Sequence, residues 1–535
     1  MNISRRDALG LALAGSAALA ADPVAAAPNA PCISESWRRG FDGQRISDRG
    51  DGTFLNPLLA GDHPDPAILK DGADYYMTFS SFDSYPGLTI WHSRDLVNWQ
   101  PRGSALTRNI GSVWAVSLAQ HGGRYFLYVP VKAQQDSIFV IYTDHIDGPW
   151  SEPVDLHLSG HIDPCHAVAE DGSRWLFLSG GDRIGLAPDG LSTLGTVEHV
   201  YDPWRYPEDW DVEGFSPEGP KIVQHGSWWY LVSAVGGTAG PPTGHMVIAA
   251  RSRSLHGPWE QCPHNPIVRT ASTEEKWWSR GHASLVDAPD GSWWALYHGY
   301  ENGFWTLGRQ ALLDPVEWTA DGWFRMTGGD LSRPISKPRD GAAVPHGQPL
   351  SDAFATLELG RRWNFFRPGA AETDRVRIER GALVLRARGT APVDSSPLLL
   401  TAGDQAYEFE CDIEIAPGGT AGLVLFYDEA LYAGLGFDER RFVTHQYGME
   451  RGRPVNPHGL RMRIRITNTR HIIAIHTSGD TRSKEGSRSW QRFDRGMEVS
   501  GYHHNVRGGF LMLRPGFYSA GHGEARFRDF RFRAL

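Results

Sequence analysis

The segment HGSWWY (residues 225–230) decides how this chain folds, because a short glycine turn in it leads directly into an aromatic strand. Four similar segments recur at intervals of roughly fifty residues, which is the length of one blade of a β-propeller. They are DGADYY (71–76), HGGRYF (121–126), DGSRW (171–175) and DGSWW (290–294). The repeat therefore predicts an all-β fold that begins with a five-bladed β-propeller.

A tryptophan follows four of these turns at a similar distance. Trp99, Trp150 and Trp318 each lie 27 residues after the turn glycine of their unit, and Trp259 lies 33 residues after its own. Chance recurrence of glycine and tryptophan would not place both landmarks in phase. We interpret the tryptophans as markers of the outer strand of each blade.

Length and charge restrict the kind of protein. The chain has 535 residues, more than one compact core usually holds, and a formal net charge of −9 without a basic run. These values predict two domains and argue against nucleic acid or an anionic membrane as a partner. We expect a soluble protein that binds something neutral.

Residues 1–30 are predicted to be a secretory signal and not part of the fold. Arg5 and Arg6 precede an apolar stretch at residues 8–21, and small residues at 24–27 offer a cleavage site. A membrane anchor is the alternative, but it needs about 20 apolar residues, and this stretch has 14. The twin-arginine start predicts bacterial export of a folded protein to the periplasm or the cell exterior.

The last third of the chain has a different pattern of apolar and charged residues. Prolines and glycines at residues 334–347 mark a linker, and after it apolar and charged residues alternate with a period of two, as in residues 407–415 and 462–466. Such alternation is typical of strands with one wet face. We therefore predict a propeller at residues 31–345 and a β-sandwich of jelly-roll type at residues 346–535.

One position, seven to nine residues before each turn glycine, carries the candidate chemistry. It opens the first strand of its blade, and the first strands of a propeller line the central channel, so five side chains are expected to converge at one mouth. They are Asp65, Trp114, Asp163, Glu218 and His282.

Three carboxyl groups at one end of an apolar channel destabilise the fold through desolvation and mutual repulsion, so they are expected to serve a function. Their repulsion separates their pKa values, so that one group can act as an acid while another stays ionised as a base, which glycoside hydrolysis requires. A metal site built from carboxylates and histidine is the rival interpretation. A mouth that binds a ligand without catalysis is a third.

Several motifs of this sequence together resemble glycoside hydrolase family 43, and they are most similar to its β-xylosidase and α-L-arabinofuranosidase branch. The resemblance covers about residues 52–330. It rests on NPLLAGDHPDP (56–66), SSF (80–82), SRDLVNW (93–99), HIDP (161–164), EGP (218–220), GGT (236–238) and LGRQ (307–310). LSDAF (350–354) and WNF (363–365) resemble the concanavalin-A-like domain often fused to these enzymes.

The resemblance implies catalytic roles for the three acids. Asp65 matches the general base, Glu218 the general acid, and Asp163 the third acid, which tunes and orients the acid. Family members invert the anomeric centre and need no cofactor for catalysis. The implied function is exo-acting release of terminal β-D-xylose or α-L-arabinofuranose from plant cell-wall oligosaccharides.

Five further residues match family positions. Phe82 and Trp114 match walls of the sugar pocket, with ordinary core packing as the alternative. Arg309 matches an arginine that reaches substrate hydroxyls or the acids, with an interblade salt bridge as the alternative. His245 is similar to a substrate-binding histidine near the central acid, and a structural hydrogen bond is its alternative. His282 matches a position that orders a hydrated structural Ca²⁺ in some members.

Other assignments stay open at this point. Glu213 lies just upstream of Glu218 but lacks the following Gly-Pro, so it is the weaker candidate for the acid. Retaining five-bladed enzymes of the invertase type carry an Asn-Asp-Pro-Asn signature, where this chain has residues 63–66, His-Pro-Asp-Pro. A non-catalytic propeller that binds plant glycans is the alternative function, and the sequence does not choose between xylose and arabinose.

Overall fold

The computed structural model describes residues 36–479, 489–493 and 496–535, so the signal predicted at residues 1–30 lies outside the described residues. The chain divides into two units, Met1–Ser36 and Trp37–Leu535, and the second unit contains everything described below. Within it the helical segments are His504–Arg507 (α) and Phe41–Gly43, Ser179–Gly181, Trp305–Leu307, Glu372–Arg375 and Pro392–Asp394 (3₁₀). None of the described helices is long and apolar enough to cross a membrane.

The predicted five-bladed propeller is present. Each blade is an antiparallel sheet in which four strands follow one another in chain order. Blade 1 contains Ala67–Asp71, Asp74–Thr78, Gly87–Ser93 and Gln100–Leu106; blade 2 contains Ser117–His121, Arg124–Lys132, Ser137–Thr143 and Val154–Asp155, with Ser112–Val113 added; blade 3 contains Cys165–Val168, Arg174–Leu178, Asp182–Leu186 and Thr193–His199. Blade 4 contains Glu218–His225, Trp228–Val235, Met246–Ser252 and Glu260–Gln261, with Val268–Arg269 added; blade 5 contains Trp277–Asp287, Trp293–Glu301, Arg309–Trp318 and Phe324–Met326.

The repeated turns join the first and second strands of the blades, as predicted. Gly72 and Gly226 have φ of +60° and +59°, a conformation that glycine adopts without steric cost. The tryptophans lie before the outer strands and not within them. Trp99 is fully buried directly before the outer strand of blade 1, whereas Trp318 ends the third strand of blade 5.

The C-terminal third forms two packed antiparallel sheets, with a core between them of aliphatic and aromatic side chains. The first contains Met449–Gly452, Phe442–Gln446, Tyr432–Phe437, Gly419–Phe426, Arg514–Gly521, Leu398–Leu399 and Asn364–Phe366. The second contains Val376–Ile378, Leu383–Arg386, Glu524–Ala534, Ala406–Ile415, Arg461–Thr469, Ile472–Ser478 and Gln491–Arg492, with Met497–Glu498 added.

The period-two alternation corresponds to burial in this sandwich. Within Ala406–Ile415 the apolar side chains face the core, while the residues between them pair across the sheet with arginines. In the last strand the phase of the pattern changes between Phe527 and Phe530. The pairing with Ala406–Ile415 shifts there, and Asp529 has φ of +49°, so a β-bulge returns Phe530 to the core.

Two segments that precede residue 345 pair with the sandwich and not with a blade. The strand Ser84–Tyr85 extends the first sheet of the sandwich, because Tyr85 pairs with Phe365. Near the start of the described chain, Asp42 accepts hydrogen bonds from the backbone N–H groups of Leu350 and Ser351. The propeller and the sandwich therefore share a sheet as well as an interface.

Candidate active site

A small pocket of about 30 Å³ lies where the first strands of the blades meet. It contains all five side chains that the sequence placed at the channel mouth, together with residues from the loops around them. Its lining consists of Asp65, Phe82, Trp114, Ala115, Ile162, Asp163, Glu218, Thr238, His282, Arg309 and Phe510.

Three of the axial residues have an unusual backbone conformation. Asp65, Asp163 and His282 have φ of 57°, 55° and 61°, in the left-handed region that residues other than glycine rarely adopt. Such strain costs on the order of 1–3 kcal/mol for each residue and concentrates at functional sites. Asp65 and Asp163 lie two residues before the first strands of blades 1 and 3, whereas His282 lies within the first strand of blade 5.

Asp65 is held by partners from three parts of the propeller. Its carboxylate accepts hydrogen bonds from Nη1 of Arg309 at 3.0 Å and from Oγ of Ser80 at 2.5 Å. Nδ1 of His298 lies 3.1 Å from Oδ1, and Nδ1 of His282 lies 3.4 Å from it. The carboxylate is 6% exposed, so these partners, and not bulk water, set its orientation.

These partners keep Asp65 ionised. Burial alone would raise the pKa of this carboxyl group, but the Arg309 guanidinium outweighs it and holds the pKa well below its usual range. Burial lowers the pKa of His282 to about 3 and also lowers the pKa of His298, so both rings are neutral near pH 7. Arg309 is then the cation that stabilises the Asp65 carboxylate.

Glu218 and Asp163 differ from Asp65, because their surroundings favour the protonated carboxyl group. Burial, followed by the charges of Asp163 and Asp65, raises the pKa of Glu218 well above its usual range. Burial and Asp65 raise the pKa of Asp163 to about 7. The Glu218 side chain is 18% exposed, more than that of Asp65, so it reaches the open part of the pocket as a protonated acid.

The Gly-Pro that follows Glu218 has a structural reason. The backbone N–H of Gly219 donates a hydrogen bond to Oδ2 of Asp163 at 2.9 Å. Gly219 has φ of +62°, and a Cβ there would lie 2.9 Å from the ring of His282. A larger residue at position 219 would therefore displace the His282 ring and weaken the hydrogen bond to Asp163. Gly219 thus ties Asp163 to the backbone directly after Glu218.

His245 lies near Glu218, as the resemblance implies, but it is not among the residues that line the pocket. It is fully buried, with Nδ1 3.8 Å from Oε1 of Glu218. Burial lowers the pKa of His245 well below its usual range, so the ring is neutral near pH 7. Its role in substrate binding stays a prediction.

His282 was the candidate for a metal position. Burial leaves its Nε2 without a hydrogen-bond partner among the described residues, which fits an atom directed at water or at a hydrated ion. Over the same residues no three His, Cys, Asp or Glu side chains come together as a metal-binding group. The His, Cys, Asp and Glu side chains of the described residues would therefore supply two ligands at most, and other oxygen atoms would have to supply the rest.

The pocket has aromatic walls from both parts of the chain. Phe82 and Trp114 lie with ring centroids 6.5 Å apart, and Phe510 approaches them to 6.1 Å and 5.5 Å. The guanidinium of Arg309 lies 5.5 Å from the centroid of Phe82 and 5.1 Å from that of Phe510. Aromatic faces of this kind suit the C–H face of a sugar ring.

Sequence reasoning missed several residues of this site. Ser80 and Thr238 lie inside motifs that were recognised, but their own contacts were not foreseen. Oγ1 of Thr238 lies 2.8 Å from Nε2 of His298, and Nδ1 of the same ring faces Asp65. Phe510 carries no repeat signal at all, because it comes from the sandwich. No pattern within the propeller could have indicated it.

Glu213 is not part of the pocket. Its Oε2 accepts a hydrogen bond from the backbone N–H of Ala239 at 2.9 Å, and the residue is exposed. It lies close enough to add slightly to the raised pKa of Glu218. The structure therefore separates the two candidate acids, with Glu218 at the pocket and Glu213 stabilising a neighbouring loop.

Comparison with known proteins agrees with this geometry. The family model described as glycosyl hydrolases family 43 matches residues 54–324. A non-reducing end α-L-arabinofuranosidase of Bacteroides ovatus is 30% identical over 72% of this chain and 76% of its own length. A β-xylosidase of Bacillus subtilis is 31% identical over 52% of this chain and 57% of its own.

Solved structures extend the similarity beyond the propeller. The crystal structure of BlXynB, a protein of the same family from Bacillus licheniformis, matches with a TM-score of 0.79 and 25% identity, over 90% of this chain and 100% of that one. A GH43B protein from the xyloglucan utilisation locus of Bacteroides ovatus matches with the same TM-score and 26% identity, also over 90% of this chain and 100% of its own.

Proposed function

The chain belongs to glycoside hydrolase family 43, and we propose that it releases single terminal pentoses from plant cell-wall oligosaccharides with inversion at the anomeric carbon. The observation that carries this proposal is that two carboxyl groups in one pocket have pKa values shifted in opposite directions. The pKa of Asp65 is held low and that of Glu218 is raised, so a base and an acid coexist near neutral pH.

The proton transfers follow from these two states. Asp65 takes a proton from a water molecule, whose oxygen forms the new bond to the anomeric carbon on one face of the sugar. Glu218 gives its proton to the glycosidic oxygen, which leaves with the electron pair of the broken bond. Asp163 supports this step because its charge, second to burial, keeps Glu218 protonated. These transfers need no cofactor.

The shape of the pocket supports action at a chain end. Phe82, Trp114 and Phe510 form aromatic walls that come from both parts of the chain, and such a walled pocket favours a single terminal sugar over a continuous polysaccharide. Arg309 faces two of these rings and also holds Asp65, so it can meet sugar hydroxyls without releasing the base. A terminal residue would enter with its glycosidic oxygen toward Glu218.

Relatives named as xylosidases and as arabinofuranosidases support a pentose substrate in either form. The test is a screen of 4-nitrophenyl β-D-xylopyranoside and α-L-arabinofuranoside beside unactivated xylo- and arabino-oligosaccharides, with chromatography of the products. Free pentose as the sole early product supports the proposal. Binding of these sugars without turnover would instead support the non-catalytic alternative, and longer early products would contradict exo-action.

Two further assignments are proposals as well. We propose that a hydrated structural Ca²⁺, if one binds, uses Nε2 of His282 as its protein ligand, and a change in melting temperature with Ca²⁺ in the wild type but not in His282→Ala would test this. We also propose that residues 1–30 direct export through the twin-arginine route. Retention of an Arg5→Lys, Arg6→Lys double variant in the cytoplasm would test that.

A further inference from the structure

A second cavity lies beside the active-site pocket, at the contact between the propeller and the sandwich. It encloses about 160 Å³, and Phe82 lines both spaces, so one ring stands between them. Its volume is about five times that of the active-site pocket, so it has room for a molecule at least as large as the sugar residue expected there.

Arg514 lines this cavity and has one hydrogen-bonding edge without a partner among the described residues. The residue is 5% exposed, and its Nη1 donates to Oγ of Ser84. Its Nε and Nη2 have no hydrogen-bond partner among the described residues. These two nitrogens form one edge of the guanidinium, the edge that grips two neighbouring oxygen atoms. Burying such donors unpaired is costly, so the edge is suited to a ligand.

Asp62 supplies an acceptor at another point of the same wall. Its Oδ1 accepts a hydrogen bond from the backbone N–H of Arg309 at 2.9 Å. Asp62 and Arg514 stabilise each other's charged forms, but they form no direct ion pair in the described part of the chain. Ser81 adds an Oγ that is likewise unpartnered there.

Two other arginines of the wall are paired through their Nη groups. Arg45 pairs with Glu301 at 2.7 Å, and Arg362 pairs with Asp352 at 2.8 Å. Nε of Arg362 and Oε1 of Gln348 have no hydrogen-bond partner in the described part of the chain, so the wall offers further polar groups besides Arg514 and Asp62. An anion would meet the carboxylate of Asp62, whereas a neutral molecule with several hydroxyl groups satisfies both sides.

The rest of the wall favours the same ligand class. Phe79 and Trp91 line the cavity, and the ring of His63 contacts both, with centroids 5.0 Å and 5.3 Å away. Burial lowers the pKa of His63 to about 4, so this ring adds no charge near neutral pH. Aromatic faces beside convergent polar groups are the usual composition of a sugar site.

We propose that this cavity is a second binding site for a neutral polyol of monosaccharide size, held by Arg514 through two adjacent hydroxyl groups and by Asp62 through another. A free pentose is a neutral polyol of this class. That identity rests on the proposed function, because such a pentose would be the product of the neighbouring pocket.

Equilibrium dialysis of the full chain with radiolabelled D-xylose and L-arabinose tests this proposal. We expect two bound pentoses per wild-type chain and one per chain in Arg514→Met, with the remaining site weakened by less than about twofold. Arg375→Met is the matched control, since Arg375 is an equally buried arginine of the sandwich outside this cavity. It should keep two sites.

Ser81→Ala is the second variant, for the case that Arg514→Met does not fold. It should weaken the second site severalfold and leave inhibition of hydrolysis by pentose at the first site unchanged. One bound pentose in the wild type, or two in Arg514→Met, would overturn the proposal. Displacement of the second pentose by sodium sulfate would show an anion site and overturn it too. Two-site binding without pentoside hydrolysis would contradict the proposed function alone.

Discussion

The ring of Phe510 stacks on the ring of Phe82, with centroids 6.1 Å apart and planes 21° from parallel. Phe82 belongs to blade 1 and Phe510 to the sandwich, so a wall of the catalytic pocket exists only when the two parts of the chain meet. His504 packs on the outer side of Phe510, with centroids 3.9 Å apart, and holds it in place.

We predict that Phe510→Ala raises KM for a terminal pentoside about tenfold, because a stacking wall and a neighbour of Arg309 are lost together. The effect on kcat should be smaller, since the acids keep their partners. Steady-state kinetics on a nitrophenyl pentoside gives the measurement. Val506→Ala, in the same segment and 60% exposed, is the control and should leave KM unchanged. An unchanged KM in Phe510→Ala would remove this residue from the site.

Glu218→Gln and Asp65→Asn should each lower kcat on an unactivated oligosaccharide by on the order of 10²–10⁴-fold or more. Both changes keep the side-chain shape, so circular dichroism and the melting temperature should stay near those of the wild type. Glu213→Gln is the matched control and should remain active. Glu218→Gln should lose less on a nitrophenyl substrate, whose leaving group needs little protonation. Near-normal rates on the oligosaccharide would refute the corresponding role.

Initial product of inverted anomeric configuration is expected when early hydrolysis is followed by proton NMR. An inverting site holds a water molecule between the base and the sugar, and the new bond forms opposite the leaving oxygen. The spectrum must be recorded before the free sugar equilibrates its anomers. Retained configuration in the first product would mean that Asp65 acts as a nucleophile.

The alkaline limb of the pH profile should move to lower pH in Asp163→Asn. Glu218 works in its protonated form, which exists below its pKa, and burial together with the Asp163 charge raises that pKa. Removing the charge lowers the pKa, so the acid is lost at lower pH. A profile of kcat/KM against pH measures this, with the exposed Asp211→Asn as the control. A limb that stays in place would show that Asp163 does not tune Glu218.

A chain that ends at Pro345 should aggregate or lose activity. It would expose Tyr85, which is 1% exposed in the full chain and pairs with Phe365 of the sandwich, and it would lack Phe510. Size-exclusion chromatography and hydrolysis assays would report the outcome. A soluble, monomeric and fully active product would mean that the sandwich is an independent module joined by a loose linker.

Much of the propeller was predictable because its signals are local. A turn glycine such as Gly226 and the strands around it depend on neighbours in sequence, and the repeat converts sequence position into position around an axis. For that reason Asp65, Asp163 and Glu218 could be placed together before any coordinates were known. The assignment of Asp65 as base and Glu218 as acid came from family resemblance, and their pKa values have the directions those roles require.

His298 shows why local signals are insufficient for the site. It lies in the second strand of blade 5, and nothing in the repeat singles it out, yet its Nδ1 lies 3.1 Å from Oδ1 of Asp65. The two residues are 233 positions apart, so only the closure of blade 5 onto blade 1 brings them together.

The sequence by itself determined the five blades, the alternating strands of the sandwich and the convergence of three acids, since each depends on periodicity along the chain. Only the tertiary structure decided that Ser84–Tyr85 joins the sandwich, that His298 faces Asp65, and that Phe510 closes the pocket. These contacts join residues that are hundreds of positions apart, and no repeat relates them. The contact of His298 with Asp65 forms when blade 5 meets blade 1, and the other two form only when the propeller and the sandwich pack against each other.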